Sequence, residues 1–150
     1  MQTGKYCYDY PRPALSADCV IFAVEGDDLH VLLVRRGREP FRGKWACPGG
    51  FVNMDETVEE AASRELYEET GLKDAAIEQL HTFSAVDRDP RGRVVTVAFV
   101  ALVSKDNCRP EAGDDAEKAE WFNISEIPEL AFDHNRILEL ALERIRQKMK

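Results

Sequence analysis

The sequence predicts an α/β fold, in which a mixed β-sheet is covered by one central and one C-terminal helix. Three observations carry this. Val94–Val103 (VVTVAFVALV) is apolar without alternation, as expected of a strand buried on both faces. Two apolar, β-rich runs, 17–24 and 29–35, flank the turn residues Gly26-Asp27-Asp28 and read as a hairpin. Helical periodicity recurs in two places, over 56–70 and after Asp133.

The elements follow in chain order. Residues 1–13 form an N-terminal extension, whose Tyr6, Tyr8 and Tyr10 suit anchoring to the domain surface or to a second subunit. After the hairpin, 37–44 is a polar loop carrying Arg38, Arg42 and Lys44. Residues 45–52 (WACPGGFV) form a short strand interrupted by Pro48-Gly49-Gly50, where glycine permits close backbone approach. The central helix takes Asp55 as its N-cap and Gly71 as its stop. A further strand is expected over 77–85, a charged loop over 87–93 (DRDPRGR), a loop over 108–115 and a short strand over 118–122. Asp133 is the expected N-cap of the last helix, whose Leu138, Ala141, Leu142, Ile145 and Met149 form one apolar stripe. Trp45 and Trp121 suit core or cleft wall, and His134 suits local hydrogen bonding rather than catalysis. His30 and His81 carry no partner pattern.

The 150 residues suit a single domain, with a hydrophobic fraction of 44% and a charged fraction of 32%. A net charge of -8 argues against non-specific binding to nucleic acid. No apolar run is long enough to span a bilayer, and the N-terminus lacks the apolar core of a signal peptide. Cys7, Cys19, Cys47 and Cys108 have no paired spacing, so reduced thiols and a cytoplasmic location are expected. Cys47 reads as a small buried hydrophobe.

The central helix places charge where it should be costly. At about 100° per residue its apolar stripe is Val58, Ala61, Ala62 and Leu66. Glu65 and Glu69 fall on that side and Glu68 at its edge, while Glu59, Glu60, Ser63, Tyr67 and Thr70 face solvent. Neighbouring carboxylates repel, and burying them costs more unless a positive charge is present. A hard divalent cation, which prefers oxygen ligands and bridges carboxylates to phosphates, would supply that charge. The segment from Gly50 to Leu72 is Gly, five residues, Glu, seven residues, then Arg-Glu-apolar-x-Glu-Glu-x-Gly-apolar. It fills every fixed position of the Nudix box, and the chain is similar to Nudix hydrolases.

That resemblance implies an α/β/α sandwich in which residues 50–72 form a loop-helix-loop. It implies a hydrolase that cleaves the pyrophosphate of a nucleoside diphosphate linked to another moiety, with Mg²⁺ as cofactor and Mn²⁺ as a substitute. Carried over by position, Glu65, Glu68 and Glu69 would be metal ligands, joined by the carbonyl of Gly49. Arg64 and Glu56 would pin the loop to the helix, although Glu60 and Glu68 are also within helical reach of Arg64. The general base would be a box glutamate, or an acidic residue among Asp114, Asp115, Glu117 and Glu120. Residues 83–93 resemble a loop of the ADP-ribose pyrophosphatase type, and Arg88, Arg91 and Arg93 could grip phosphate oxygens of the substrate. ADP-ribose or another nucleoside diphosphate sugar is the first expectation. An oxidised nucleoside triphosphate is the alternative substrate. A non-catalytic ligand sensor that regulates transcription is the alternative class, against which stand the intact box and the single helix expected after Asp133. A homodimer is implied by resemblance alone.

Overall fold

The computed structural model describes residues 4–105 and 116–149. The elements are β1 (Ala14–Glu25), β2 (Asp28–Arg36), β3 (Trp45–Ala46), β4 (Gly49–Phe51), α1 (Val58–Thr70), β5 (Glu78–Phe83), β6 (Val94–Val103), β7 (Ala116–Asn123) and α2 (His134–Lys148). The strands form one mixed sheet, with the order β3-β2-β1-β6-β5; β4 pairs with β1 and β7 with β2. Among the described residues no helix is long and apolar enough to cross a membrane.

The centre of the sheet is the parallel pair of β1 and β6, in register from Ala14↔Val94 to Ala23↔Val103. Both strands are buried over most of their length, which is why neither alternates polar with apolar. Alternate residues of β1 serve opposite cores. Ala17, Cys19 and Ile21 pack with Ala61, Ala62 and Leu66 of α1, whereas Val20 and Phe22 pack with Ile137, Leu138 and Ala141 of α2. The sheet therefore lies between the two helices, and the chain is an α/β/α sandwich.

The free edge of β1 is divided between two partners. Ser16, Ala17 and Asp18 pair with Phe51, Gly50 and Gly49 of β4, while Phe22 to Glu25 pair with β2. A cavity of about 650 Å³ lies where these partners diverge, lined by residues of β1, β2 and β4.

Some local expectations are corrected. The cap of α1 is Thr57, not Asp55: Thr57 Oγ1 accepts the Glu60 N–H at 3.1 Å, and Glu60 Oε1 accepts the Thr57 N–H at 2.9 Å. The helix thus begins at Val58, which leaves Glu56 in the preceding loop. Thr70, assigned to the solvent face, is buried, and its hydroxyl donates to the Leu66 carbonyl at 2.6 Å. Gly71 does end the helix, in the left-handed conformation with φ 79°. Asp133 occupies the N-cap of α2 but makes no side-chain capping bond. Met149 lies beyond the buried stripe of α2 and is exposed. Trp121 packs against the α1 core and Trp45 against the α2 core. Tyr8 and Tyr10 are exposed, and the Arg12 guanidinium lies 3.8 and 5.1 Å from their rings. Cys7, Cys19 and Cys47 are free thiols, and Cys108 lies outside the described residues.

Candidate active site

The helix α1 points Glu65, Glu68 and Glu69 into the cavity, where they face Gly49, Gly50 and Phe51 of β4. The two glycines have steric reasons to be there. A Cβ on Gly49 would stand 2.3 Å from the Ala17 carbonyl oxygen and 2.2 Å from Asp18 Oδ1. A Cβ on Gly50 would stand 2.5 Å from the Glu65 carboxyl carbon. Only bare backbone lets β4 lie flush on β1 with the Glu65 carboxylate against it.

Arg64 ties this arrangement together. Its Nε and Nη2 donate to the two oxygens of Glu56 at 3.0 and 2.6 Å, a bidentate pair. Nη2 also donates to the Phe51 carbonyl at 3.1 Å, and Nη1 to Glu65 at 2.6 Å and to Glu68 at 3.2 Å. The Arg64 bonds hold the Glu56 carboxyl below its usual pKa. Burial instead pushes Glu65 above its usual value, against the pull of Arg64. Glu69 Oε1 accepts the Gly49 N–H at 2.7 Å. Three carboxylates in one cavity offer the all-oxygen donors that a hard divalent cation takes. Their oxygens are engaged with Arg64 and Gly49, and among the described residues no three acidic, His or Cys side chains converge as a ready-made metal cage.

The floor and far wall come from segments distant in sequence. Asp18 of β1 is buried and accepts the Thr96 hydroxyl at 2.6 Å. His134 Nδ1 accepts the Cys47 N–H at 3.0 Å, and its Nε2 lies 3.9 Å from Asp18 Oδ2. Burial lowers the pKa of His134, in keeping with a neutral ring accepting on Nδ1. Burial likewise pushes the Cys47 thiol well up, so it is a packed hydrophobe and not a reactive thiolate.

The far wall is built from two arginine–aspartate pairs and aromatic rings. Arg88 is buried and gives two bonds to Asp133, at 2.9 and 2.7 Å. Arg91 forms a second bidentate pair with Asp89, at 3.0 and 2.7 Å, and its guanidinium lies 4.9 Å from the Phe51 ring and 5.2 Å from the Phe132 ring. Phe132 has φ 53°, a conformation that costs a bulky residue about 1–3 kcal/mol and clusters at functional sites.

These features have a known counterpart. The chain matches the NUDIX domain family over residues 12–141. It belongs to the Nudix family. It is similar to a protein of Methanocaldococcus jannaschii described as ADP-ribose pyrophosphatase, at 44% identity over 87% of this chain and 73% of the relative. It is also similar to a protein of Acinetobacter baylyi described as an ADPR responsive transcriptional repressor NtrR, at 35% identity over 95% of this chain and 58% of that protein. Among solved structures, the Nudix domain of Shewanella oneidensis NrtR, complexed with ADP ribose, superposes with a TM-score of 0.85 at 36% identity, covering 92% of this chain and 94% of that domain.

Gly49, just before the Nudix box, and the box residues Glu65, Glu68 and Glu69 line one cavity, with Arg64 shared between Glu56, Glu65 and Glu68. Glu60 is not its partner, being committed to Thr57. Arg88 and Arg91 line the same cavity, but Arg93 does not; its guanidinium donates to the Ala85 carbonyl at 3.4 Å. Of the later acidic candidates, Glu120 pairs with Lys118 at 3.7 Å away from the cavity lining. Asp114 and Asp115 lie outside the described residues, as does the side chain of Glu117. Sequence reasoning passed over Asp18, Arg36, Phe51 and Phe132 as parts of the site. Only Phe51 had a local signal, its place directly after Gly49-Gly50.

Proposed function

We propose that this Nudix protein hydrolyses the pyrophosphate of ADP-ribose or a related nucleoside diphosphate sugar, using Mg²⁺, with Mn²⁺ as a substitute. The observation that carries the reading is one cavity lined by the carboxylates Glu65, Glu68 and Glu69 and by the guanidinium groups of Arg88 and Arg91, each paired with an aspartate. A diphosphate carrying a sugar can use both: cation-recruiting carboxylates for the bond to be cleaved and guanidinium donors for the rest of the molecule. The similarity to a protein described as ADP-ribose pyrophosphatase and to a domain solved with ADP ribose supports this substrate class.

Glu65, Glu68 and Glu69, with the Gly49 carbonyl, would hold the divalent cation. A cation held there would supply charge neutralisation for the diphosphate and would lower the pKa of a water. One of the box glutamates takes the proton of that water. A new P–O bond forms, the bridging P–O bond breaks, and a nucleoside monophosphate and a sugar phosphate leave. Arg64 acts by placement, holding Glu65 and Glu68 against the strand that carries Gly49. Arg91 touches the substrate, and Arg88 supports the loop beneath it. The protein works in the cytoplasm as a homodimer.

A second reading, a sensor that binds ADP-ribose without turnover, draws on the 35% identity to the Acinetobacter repressor. A panel of ADP-ribose, other nucleoside diphosphate sugars, dinucleotides and oxidised nucleoside triphosphates, assayed with Mg²⁺, separates the readings. ADP-ribose is expected to turn over fastest. Tight binding without hydrolysis of any member would overturn the enzyme in favour of the sensor, and preference for a triphosphate would overturn the substrate.

A further inference from the structure

Three consecutive residues link separate walls of the cavity through their side chains. The ring of Phe132 lies 5.0 Å from the guanidinium of Arg36 on β2 and 5.2 Å from that of Arg91. Asp133 takes both bonds of buried Arg88, which anchors the loop bearing Asp89 and Arg91. His134 takes the Cys47 N–H, two residues before Gly49.

We propose that the Phe132-Asp133-His134 turn is the positioning element of this cavity, setting the glycine strand and the arginine loop at one fixed separation so that both ends grip a single substrate. The proposal rests on the nucleoside diphosphate reading above.

The polar bonding of residues 47–49 supports it. Their restraints come in succession from three elements: Cys47 N–H to His134 of α2, the Pro48 carbonyl from Cys19 N–H of β1 at 2.8 Å, and Gly49 N–H to Glu69 of α1. Of these three ties, His134 also connects to the far wall through the residues directly before it, beside the contact of Arg91 with Phe51 of the glycine strand. Arg88 is buried and charged, so its place depends on its partner carboxylate. The left-handed φ of Phe132 and the extra-helical position of Asp133 let neighbouring side chains fan apart instead of lying along one helix face. Neither Asp133 nor His134 needs to touch the reacting atoms for this role.

The test uses the full chain, with two readouts that a merely structural turn would not separate. Mn²⁺ binding, measured by electron paramagnetic resonance without substrate, reports the glycine-strand end. The KM for ADP-ribose at saturating Mg²⁺ reports the arginine end. His134→Leu is expected to weaken Mn²⁺ binding by about 10–100-fold, the usual effect of losing a supporting partner. His134→Asn, whose side-chain oxygen can still accept the Cys47 N–H, should restore most of that affinity. Asp133→Asn is expected to raise KM by roughly tenfold or more through misplacement of the loop, with Mn²⁺ binding retained. Should Asp133→Asn fail to fold, the pair Arg88→Gln with Asp133→Asn removes both charges together and should give the same KM shift. Parallel losses of metal and substrate binding in both variants, tracking lost thermal stability, would overturn the proposal, as would unchanged binding in both. Failure of the functional reading is seen separately, as unmutated protein that binds Mn²⁺ but not ADP-ribose.

Discussion

Glu69 combines two tasks in one carboxylate. It holds the Gly49 N–H at 2.7 Å and belongs to the acidic set that faces the cavity. Glutamine retains an oxygen for the first task and gives up the charge needed for the second. Glu69→Gln is therefore expected to lose about 100-fold or more in kcat with an unchanged circular dichroism spectrum; near-normal turnover would remove Glu69 from the ligand set. His134 supplies a prediction about pH. Burial keeps its folded-state pKa below the ordinary value of 6.5, so the unfolded chain binds the proton more readily than the folded one. Its contribution to stability is complete above about pH 6.5 and is lost as pH falls from there towards the lower folded value. Glu65 has the opposite sign: its raised pKa favours the folded state in acid, and that contribution is lost as pH rises through the folded value. The His134 contribution should thus lower the melting temperature on acidification below about pH 6.5, and His134→Asn should make that part of the curve less steep than in the unmutated protein; an unchanged slope would contradict a buried neutral imidazole.

At the scale of elements, β4 and α1 meet through two glycines with different neighbours, and substitution should tell them apart. Alanine at Gly49 meets the Ala17 carbonyl, which is backbone at the centre of the sheet and cannot give way. Gly49→Ala should cost about 1–3 kcal/mol of stability in chemical denaturation. Alanine at Gly50 meets the Glu65 carboxylate, a side chain that can swing aside. Gly50→Ala should melt closer to the unmutated protein yet lose activity, and the reverse order would refute this account of the two glycines. The acidic helix face was legible in the sequence because all of its members lie within six residues, at helical spacing. Its true cap was legible too, since Thr57-Val58-Glu59-Glu60 is a capping-box pattern, but Asp55 is an equally good capping residue type in isolation. Asp133 shows where local reading stops. It stands at an N-cap, yet its carboxylate turns to Arg88, 45 residues earlier, and no spacing rule carries that information.

Across the whole molecule, the sheet centre could be read from Val94–Val103, because a strand buried on both faces is uniformly apolar. The parallel pairing of β1 with β6, and hence the meeting of Asp18, Thr96 and His134 under the cavity, depends on topology and has no sequence signature. The same holds for the aromatic pair around Arg91, whose rings come from residues 51 and 132. One consequence reaches beyond the cavity. Arg64 spreads a single positive charge over Glu56, Glu65 and Glu68, so the acidic patch carries its own counterion as part of the polypeptide. Dialysis against a chelator should accordingly leave the secondary structure intact and lower the melting temperature by no more than the few degrees that a bound ligand contributes by mass action. Collapse of the fold on chelation would show instead that the ion is structural. With its own counter-charge in place, the chain is expected to stay folded when no ion is bound. On the metal-dependent reading proposed above, ion supply and not the state of the fold would then set its activity.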